Sequence, residues 1–568
     1  MSERCFLGLD LGTTHVKCIA LSPDGRVLAS AERPVETRAP KPGRAEQDAE
    51  EVWEAASRVL RETASALGPG SVEGLALSGA MHTCLAVAAD ASPLSPALTW
   101  ADQRAAGICR RLRARLERKG LEALYRRTGC PLQPLYHLPK LRWWIEQAPE
   151  IAGRAALFVS LKDLVLHRLA GVWAADPSIG SATGLLDIQR CRWDPEALEL
   201  AGIGPQRLPA LASPLEPAGR LTGAAARATG LPSGLPLVLG ASDGALANLG
   251  CGALTPGQVV ITVGTSGAVR HWVAEPRLDP AQRTWCYLLA EGRWFAGGAL
   301  NNAGLAVQWV RDSLYAEEPG SAGAAGQPDP PGRSPQSGAS GFERLFAEAA
   351  QSPPGAAGLR CLPFFAGERS PYFRAEARAA FLGLSWEHGR GHLARAVLEA
   401  VALRLADVWD ALGLASAAGS NPESGAEAGS SPAMAGSAPG AEAGSSAAKP
   451  VRSPTGRPAF APPSEPARLT GGILRSPFWV QLCCDALGLP LAAVEAADAS
   501  AVGAALVAQA ALDPGMSLEK LAARIQPGRR WDPDPAQHRL YRRLLEEFRD
   551  LYRRFVDISS AGGYADGA

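Results

Sequence analysis

An approximate internal repeat constrains this chain more than any other feature. Leu9-Asp10-Leu11-Gly12-Thr13-Thr14-His15-Val16-Lys17 and Thr262-Val263-Gly264-Thr265-Ser266-Gly267-Ala268-Val269-Arg270 share one plan. Each runs from an apolar strand through a glycine and two hydroxyl residues into a second apolar strand that ends on a cation. The second copy carries one extra residue between glycine and cation. The two glycines lie 252 residues apart in a chain of 568, close to half its length. Two domains presenting the same hairpin turn to each other predict a two-sided clamp. Such turns suit phosphate: glycine lets backbone N–H groups approach closely, the hydroxyls add donors, and Lys17 or Arg270 supplies charge. Alone, either turn reads more simply as a hairpin with exposed threonines. The pair, with Asp10 ahead of the first, points to phosphate. There is no Walker A spacing, so a P-loop is not the explanation.

Around these turns, strand and helix patterns alternate. Apolar runs at 5–11, 16–21, 72–78, 85–88, 235–240, 259–263 and 269–273 read as strands, and 52–67, 245–249, 392–412 and 476–487 have helical period. The alternation predicts an α/β protein. The expected domains are 1–253 and 254–515, followed by a helical extension over 516–568. Two segments, about 318–340 and 414–466, are expected to be disordered insertions. Ala, Ser, Pro and Gly make up 40 of the 53 residues from 414 to 466, and Gly-Ala-Glu-Ala-Gly-Ser-Ser occurs there twice. Such composition cannot offset the entropy of ordering the chain.

Function classes fall away on charge and composition. Lys plus Arg number 57 against 57 Asp plus Glu, so nothing marks a nucleic-acid binder or a polybasic membrane anchor. No run of about 18 apolar residues suggests a membrane span, and the acidic, glycine-containing start is no signal peptide. The 11 cysteines are odd in number and lack C-x-x-C spacing, which predicts reduced thiols in a cytoplasmic protein.

Gly240-Ala-Ser242-Asp243-Gly244, at a strand-to-helix junction, admits three readings. Ser242 fits the nucleophile elbow of a serine hydrolase, Asp243 fits a base for a substrate hydroxyl, and Asp243 also fits a helix cap. The base is favoured because no lipase-type Gly-rich oxyanion loop is present and the second phosphate-like turn begins only twenty residues on. Ser78-Gly-Ala-Met81-His82 and Trp100-Ala-Asp102-Gln-Arg104 each end an apolar stretch. A Trp beside an Asp and an Arg can serve as a sugar platform. Taken singly, His82 and Trp100 read more simply as core residues. Thr470-Gly-Gly472 is a Gly-rich turn opening a helix.

Asp10-Leu-Gly-Thr-Thr, Met81-His82, Trp100-Ala-Asp-Gln-Arg104, Gly240-Ala-Ser-Asp-Gly244, Gly264-Thr-Ser-Gly267, Gly367-Glu-Arg-Ser-Pro371 and Thr470-Gly-Gly472 occur in an order that resembles the FGGY family of carbohydrate kinases. Ala379-Ala-Phe-Leu-Gly-Leu384 and His392-Leu-Ala-Arg-Ala-Val-Leu-Glu399 match that family's C-terminal signature. Lys140-Leu-Arg-Trp-Trp144 matches its N-terminal signature more loosely, with His137 where the family has a small residue. The resemblance spans about 6–512 without the insertions. Gly240–Gly250, the Thr-Trp-Ala-Asp at 99–102 and Asn301-Asn302 look most like the gluconokinase branch.

The resemblance implies two actin/hexokinase-like (ribonuclease H-like) α/β domains around an interdomain cleft, with ATP and Mg²⁺ as cofactors. It implies Asp243 as general base in contact with the sugar and Asp10 as the Mg²⁺ residue, acting through water. Thr13, Thr14, Lys17, Gly264 and Thr265 would cradle phosphates. Gly304, Gln308, Gly472 and Ser476 would meet the adenosine, though the family often has Asn where Ser476 stands. Met81, His82, Trp100, Asp102 and Arg104 would line the sugar pocket. D-Gluconate, converted to 6-phosphogluconate, is the implied substrate, with xylulose or another pentulose or polyol as the alternative. A gluconate carboxylate needs a cation, for which Arg104, Arg270 and Arg369 are candidates. The expected partners are a sugar or sugar acid and a second copy of the chain in a homodimer. The competing classes are a serine hydrolase using Ser242 and a sugar sensor without turnover.

Overall fold

The computed structural model describes residues 3–68, 70–316, 341–413, 463, 465–495 and 498–561. The expected insertions at about 318–340 and 414–466 lie outside the described residues, apart from 463, 465 and 466. Among the described residues, no helix is long and apolar enough to cross a membrane.

The internal repeat corresponds to two sheets built to one plan. The first has six strands in the order Pro217–Arg220, Pro236–Ser242, Val72–Gly79, Cys5–Leu11, His15–Leu21 and Val27–Pro34. The second has seven: Trp285–Ala290, Arg293–Leu300, Gly267–Val273, Val259–Val263, Ala467–Thr470, Leu491–Ala493 and Arg530–Trp531. In each, the first strand pairs antiparallel with the second across the Gly-hydroxyl turn, and parallel with a later strand on its other side. Strands with apolar side chains on both faces suit sheets covered by helices, as in α/β folds. The expected two-domain α/β architecture is the one observed.

The helix Ala499–Leu512 returns from the second half of the chain to the first sheet. It is rich in small residues and buried along most of its length. A Cβ on Gly8 would come within 1.9 Å of Ala501 O, and one on Gly503 within 2.0 Å of Leu246 O. Glycine is therefore required where this helix crosses the sheet and the helix Asp243–Gly250. The chain after 515 is also integral, not an appendage. Arg530–Trp531 closes the second sheet, and the helix Pro535–Ala561 buries Tyr541, Leu544, Leu545, Phe548 and Tyr552 in the second core. Its apolar stripe packs inward.

Candidate active site

Parallel strands that end side by side bring their following residues together, and ligands in open α/β sheets bind beyond those carboxyl ends. In the first sheet Asp10 is level with Ser78, and Ser242 with Gly79, so Asp10, the turn after Gly79, and Asp243 emerge at one edge. In the second sheet Thr262 is level with Thr470, so the Gly264 and Gly471 turns share an edge. Gly304 joins them, its N–H donating to Gly264 O at 2.8 Å.

Asp10 is buried and accepts a hydrogen bond from Ser78 Oγ at 2.5 Å. Burial, with Asp498 and Asp243 nearby, pushes its carboxyl well above the usual range, against Ser78 and Lys17. Three acids thus share one region, and a cation there would relieve their repulsion. Hard carboxylate oxygens suit Mg²⁺, which usually takes only one or two carboxylates and fills its shell with water and phosphate oxygens. Among the described residues no group of three or more His, Cys, Asp or Glu is spaced to hold a metal ion by itself. The donor set fits Mg²⁺ bound together with a phosphate ligand.

Asp243 is the first residue of its helix. Its Oδ1 accepts the N–H of Gly244 at 2.7 Å, and the N–H of Met81 also faces it. Burial raises its pKa; Arg270, these two N–H groups and Arg369 hold it down. A Cβ on Gly244 would lie 2.8 Å from Met81 Cε and 3.2 Å from Arg270 Nε, so glycine lets Met81 and Arg270 close around the carboxylate. Arg270 donates to Thr262 Oγ1 at 3.0 Å. Its guanidinium therefore serves the Asp243 site, which corrects the expectation that it adds charge to the second turn.

Ser242 settles the other two readings of this motif. It caps the helix through Ala245 N, so the cap is Ser242 and not Asp243. Its hydroxyl is fully buried and shares a 2.7 Å hydrogen bond with Ser178 Oγ. A hydroxyl spent in this way has no path to a substrate, which removes the hydrolase.

Among the residues expected at the sugar, His82 takes a left-handed backbone (φ 69°) and donates from Nδ1 to Ala182 O at 2.8 Å. Burial and the Lys140 ammonium keep its imidazole neutral, well below its ordinary pKa. Its ring meets Tyr136 and Tyr287 edge-on, and their hydroxyls hydrogen-bond each other at 2.8 Å. Trp100 carries the Arg369 guanidinium 4.6 Å above its ring. The pair of Asp102 and Arg104 differs from expectation. Asp102 is fully buried, accepts from Ala45 N at 2.9 Å, and grips Arg104, which also pairs with Glu46. They brace the platform from behind instead of offering free polar groups to a ligand.

Among the residues expected at the nucleotide, Thr265 is exposed, Thr13 and Gly264 are partly so, and a Cβ on Gly472 would meet nothing within 4 Å. Gln308 follows Gly304 by one helical turn, half-buried. Such open glycines leave room for a flat ring or phosphate oxygens. Thr14 is exposed, its carbonyl tied to Val35 N. Two residues are already occupied. Lys17 bridges Asp498 at 3.2 Å and Glu32 at 3.4 Å. Ser476 is buried and caps the helix Pro477–Leu487 through Trp479 N.

Sequence reasoning passed over Asp498 and Lys140. Asp498 shows a helix-cap pattern and does cap the helix Ala499–Leu512, but its approach to Asp10 depends on that helix crossing between sheets. Lys140 donates to His82 O and Thr99 O at 2.7 and 2.8 Å, tying the Met81-His82 turn to the Trp100 segment. Its place in the signature was visible; its partners were not.

Comparison with known proteins agrees with this arrangement. The N-terminal domain of the FGGY family of carbohydrate kinases matches residues 5–250, and the C-terminal domain of that family matches 259–512. A gluconokinase of Bacillus subtilis (strain 168) is 34% identical over 406 residues, 72% of this chain and 76% of that protein. A xylulose kinase of Escherichia coli (strain K12) is 28% identical over 557 residues, 97% of this chain and 99% of that protein. The crystal structure of gluconate kinase from Lactobacillus acidophilus superposes with a TM-score of 0.81 at 24% identity, covering 97% of this chain and 98% of that one.

Proposed function

The chain belongs to the FGGY family of carbohydrate kinases, and from that premise we propose that it phosphorylates the C6 hydroxyl of D-gluconate at the expense of ATP, giving 6-phosphogluconate. The observation that carries the reading is Asp243, a half-buried carboxylate where both sheets converge, flanked by two arginines. The gluconokinase relative supports the acceptor; the xylulose kinase relative keeps a pentulose as the second reading.

Asp243 accepts the proton of the attacking hydroxyl. Arg270 and Arg369 favour its ionised form, offsetting the burial that opposes it. In a loose transition state the proton can leave late, so a carboxylate of modest basicity suffices. When bound, MgATP supplies the transferable phosphoryl group and the cation that neutralises it. Asp10 would hold that cation, and the Gly12 and Gly264 turns would offer backbone N–H and hydroxyl donors to the phosphates. Met81, His82 and Trp100 confine the acceptor, and closure of the two halves excludes water that would otherwise take the phosphoryl group.

A coupled ADP-release assay across gluconate, xylulose, ribulose, glycerol and fuculose tests the reading. Gluconate should give the highest kcat/KM. A pentulose giving the highest value overturns the acceptor, and no ADP release with any of them returns the protein to a sensor.

A further inference from the structure

We propose that Arg369, stacked on Trp100, binds the carboxylate of the acceptor and sets the preference for a sugar acid over a neutral polyol; this rests on the gluconate reading above. Gluconate phosphorylated at C6 carries its carboxylate at the opposite end of the chain. The matching cation must therefore lie within electrostatic reach of Asp243 without being its main partner, and must not already hold a carboxylate.

Two of the three candidate arginines fail these conditions. Arg104 is almost wholly buried and spent on Asp102 and Glu46. Freeing it would strand two acids. Arg270 has a buried Nε without a hydrogen-bond partner, but it is the principal charge acting on Asp243, at the reacting end. Arg369 meets both conditions: it acts on Asp243 more weakly than Arg270 does, and it pairs with no carboxylate among the described residues. Its Nη2 donates only to a backbone carbonyl, Leu300 O at 3.1 Å, and its buried Nε has no hydrogen-bond partner. An unpaired buried N–H is costly, and an anionic ligand oxygen would satisfy it.

The surroundings fit an acid. Trp100 and Arg369 form one wall of a cavity of about 740 Å³ between the two halves of the molecule. Arg110, Arg113 and Arg374 also line it. Of its two acids, Glu368 is paired with Arg404 and Glu376 with Arg374. The net field favours an entering anion. Burial lowers the Arg369 pKa to about 10, which leaves it fully charged at neutral pH. Stacking on the indole fixes the plane of the guanidinium, so that a carboxylate can meet it edge to edge.

The test compares gluconate with glucitol, a neutral polyol of the same carbon number, in the wild type, Arg369→Met and Arg369→Lys. The ratio of kcat/KM for gluconate to that for glucitol should fall about 10- to 100-fold in Arg369→Met, the cost of a hydrogen bond to a charged group. The loss should lie in KM for gluconate, and Arg369→Lys should recover part of it. Should Arg369→Met be inactive throughout, Arg369→Lys decides: a lowered ratio with unchanged ATP binding supports the role. An unchanged ratio in the active variants overturns Arg369 while leaving the gluconate reading intact. Wild-type turnover of a pentulose but not of gluconate overturns both.

Discussion

The two Gly-hydroxyl turns share a place in their sheets and differ in charge. At the first, Asp10 precedes the turn and stands directly opposite Lys17 across the hairpin, and Lys17 is neutralised by Asp498 and Glu32. At the second, Thr262 takes the place of Asp10 and stands opposite Ala268, while Arg270, two residues on, reaches from the same face toward Asp243. One side is thus acidic and the other brings a cation. A repeated hairpin can supply phosphate donors twice, but on the proposed mechanism a metal-facing acid and a base-tuning arginine are each needed once. The repeat supplies the frame, and single positions within it divide the work.

Both sides converge on Asp243, so Asp243→Asn should have the largest effect. Loss of a general base costs about 10²- to 10⁴-fold in kcat. ATP affinity, measured by titration calorimetry, should hold, and the melting temperature should stay level or rise because a half-buried charge that desolvation disfavours is removed. Retained turnover would mean that the two turns do not meet at this residue.

Next comes the asymmetry itself. Asp10→Asn should lower activity about 10- to 100-fold and raise the Mg²⁺ concentration needed for half-maximal rate. Thr262→Val, at the matching position of the second sheet, should leave the Mg²⁺ requirement alone. Equal Mg²⁺ phenotypes in the two variants would show that the turns are equivalent after all.

Arg270→Met sharpens the comparison through pH. The carboxylate form of Asp243 is the active one, so kcat falls as pH drops through its pKa. Burial raises that pKa and Arg270 opposes the rise. Removing Arg270 raises it further, and the acidic limb of the kcat profile should move to higher pH. A limb that stays in place would detach Arg270 from the base.

How much of this could be read from the sequence follows the same division. The repeat, the layered α/β class and Asp243 were legible because each rests on local pattern: strand periodicity, a glycine-hydroxyl turn, a strand running straight into a helix. Asp102 and Arg104 were legible as a cluster but not in role, because Glu46 and Ala45 N, which claim them, lie over fifty residues away. Arg270 looked like the partner of its own turn, since spacing does not say which way a side chain on a pleated strand reaches. Asp498 was hidden more deeply. Its neighbourhood exists only because a small-residue helix from the second half of the chain packs across the first sheet, over Gly8, and against Leu246 through its own Gly503.

Ser242→Ala should have the smallest effect on activity and a clear one on stability. The hydroxyl contacts Ser178 and the helix start but no part of the cleft, so kcat should stay close to the wild-type value. The fold loses a cap and the hydroxyl–hydroxyl hydrogen bond, while Ser178 Oγ keeps the backbone N–H of position 242, a cost of about 1–2 kcal/mol, readable by urea denaturation. Ser178→Ala breaks the same hydrogen bond from the other side, and the two residues are in direct contact. The double variant should therefore lose less stability than the two single variants combined. Strict additivity would mean that the shared hydrogen bond contributes little. Loss of turnover with normal folding would restore Ser242 as a reacting group and place the chemistry one residue away from Asp243.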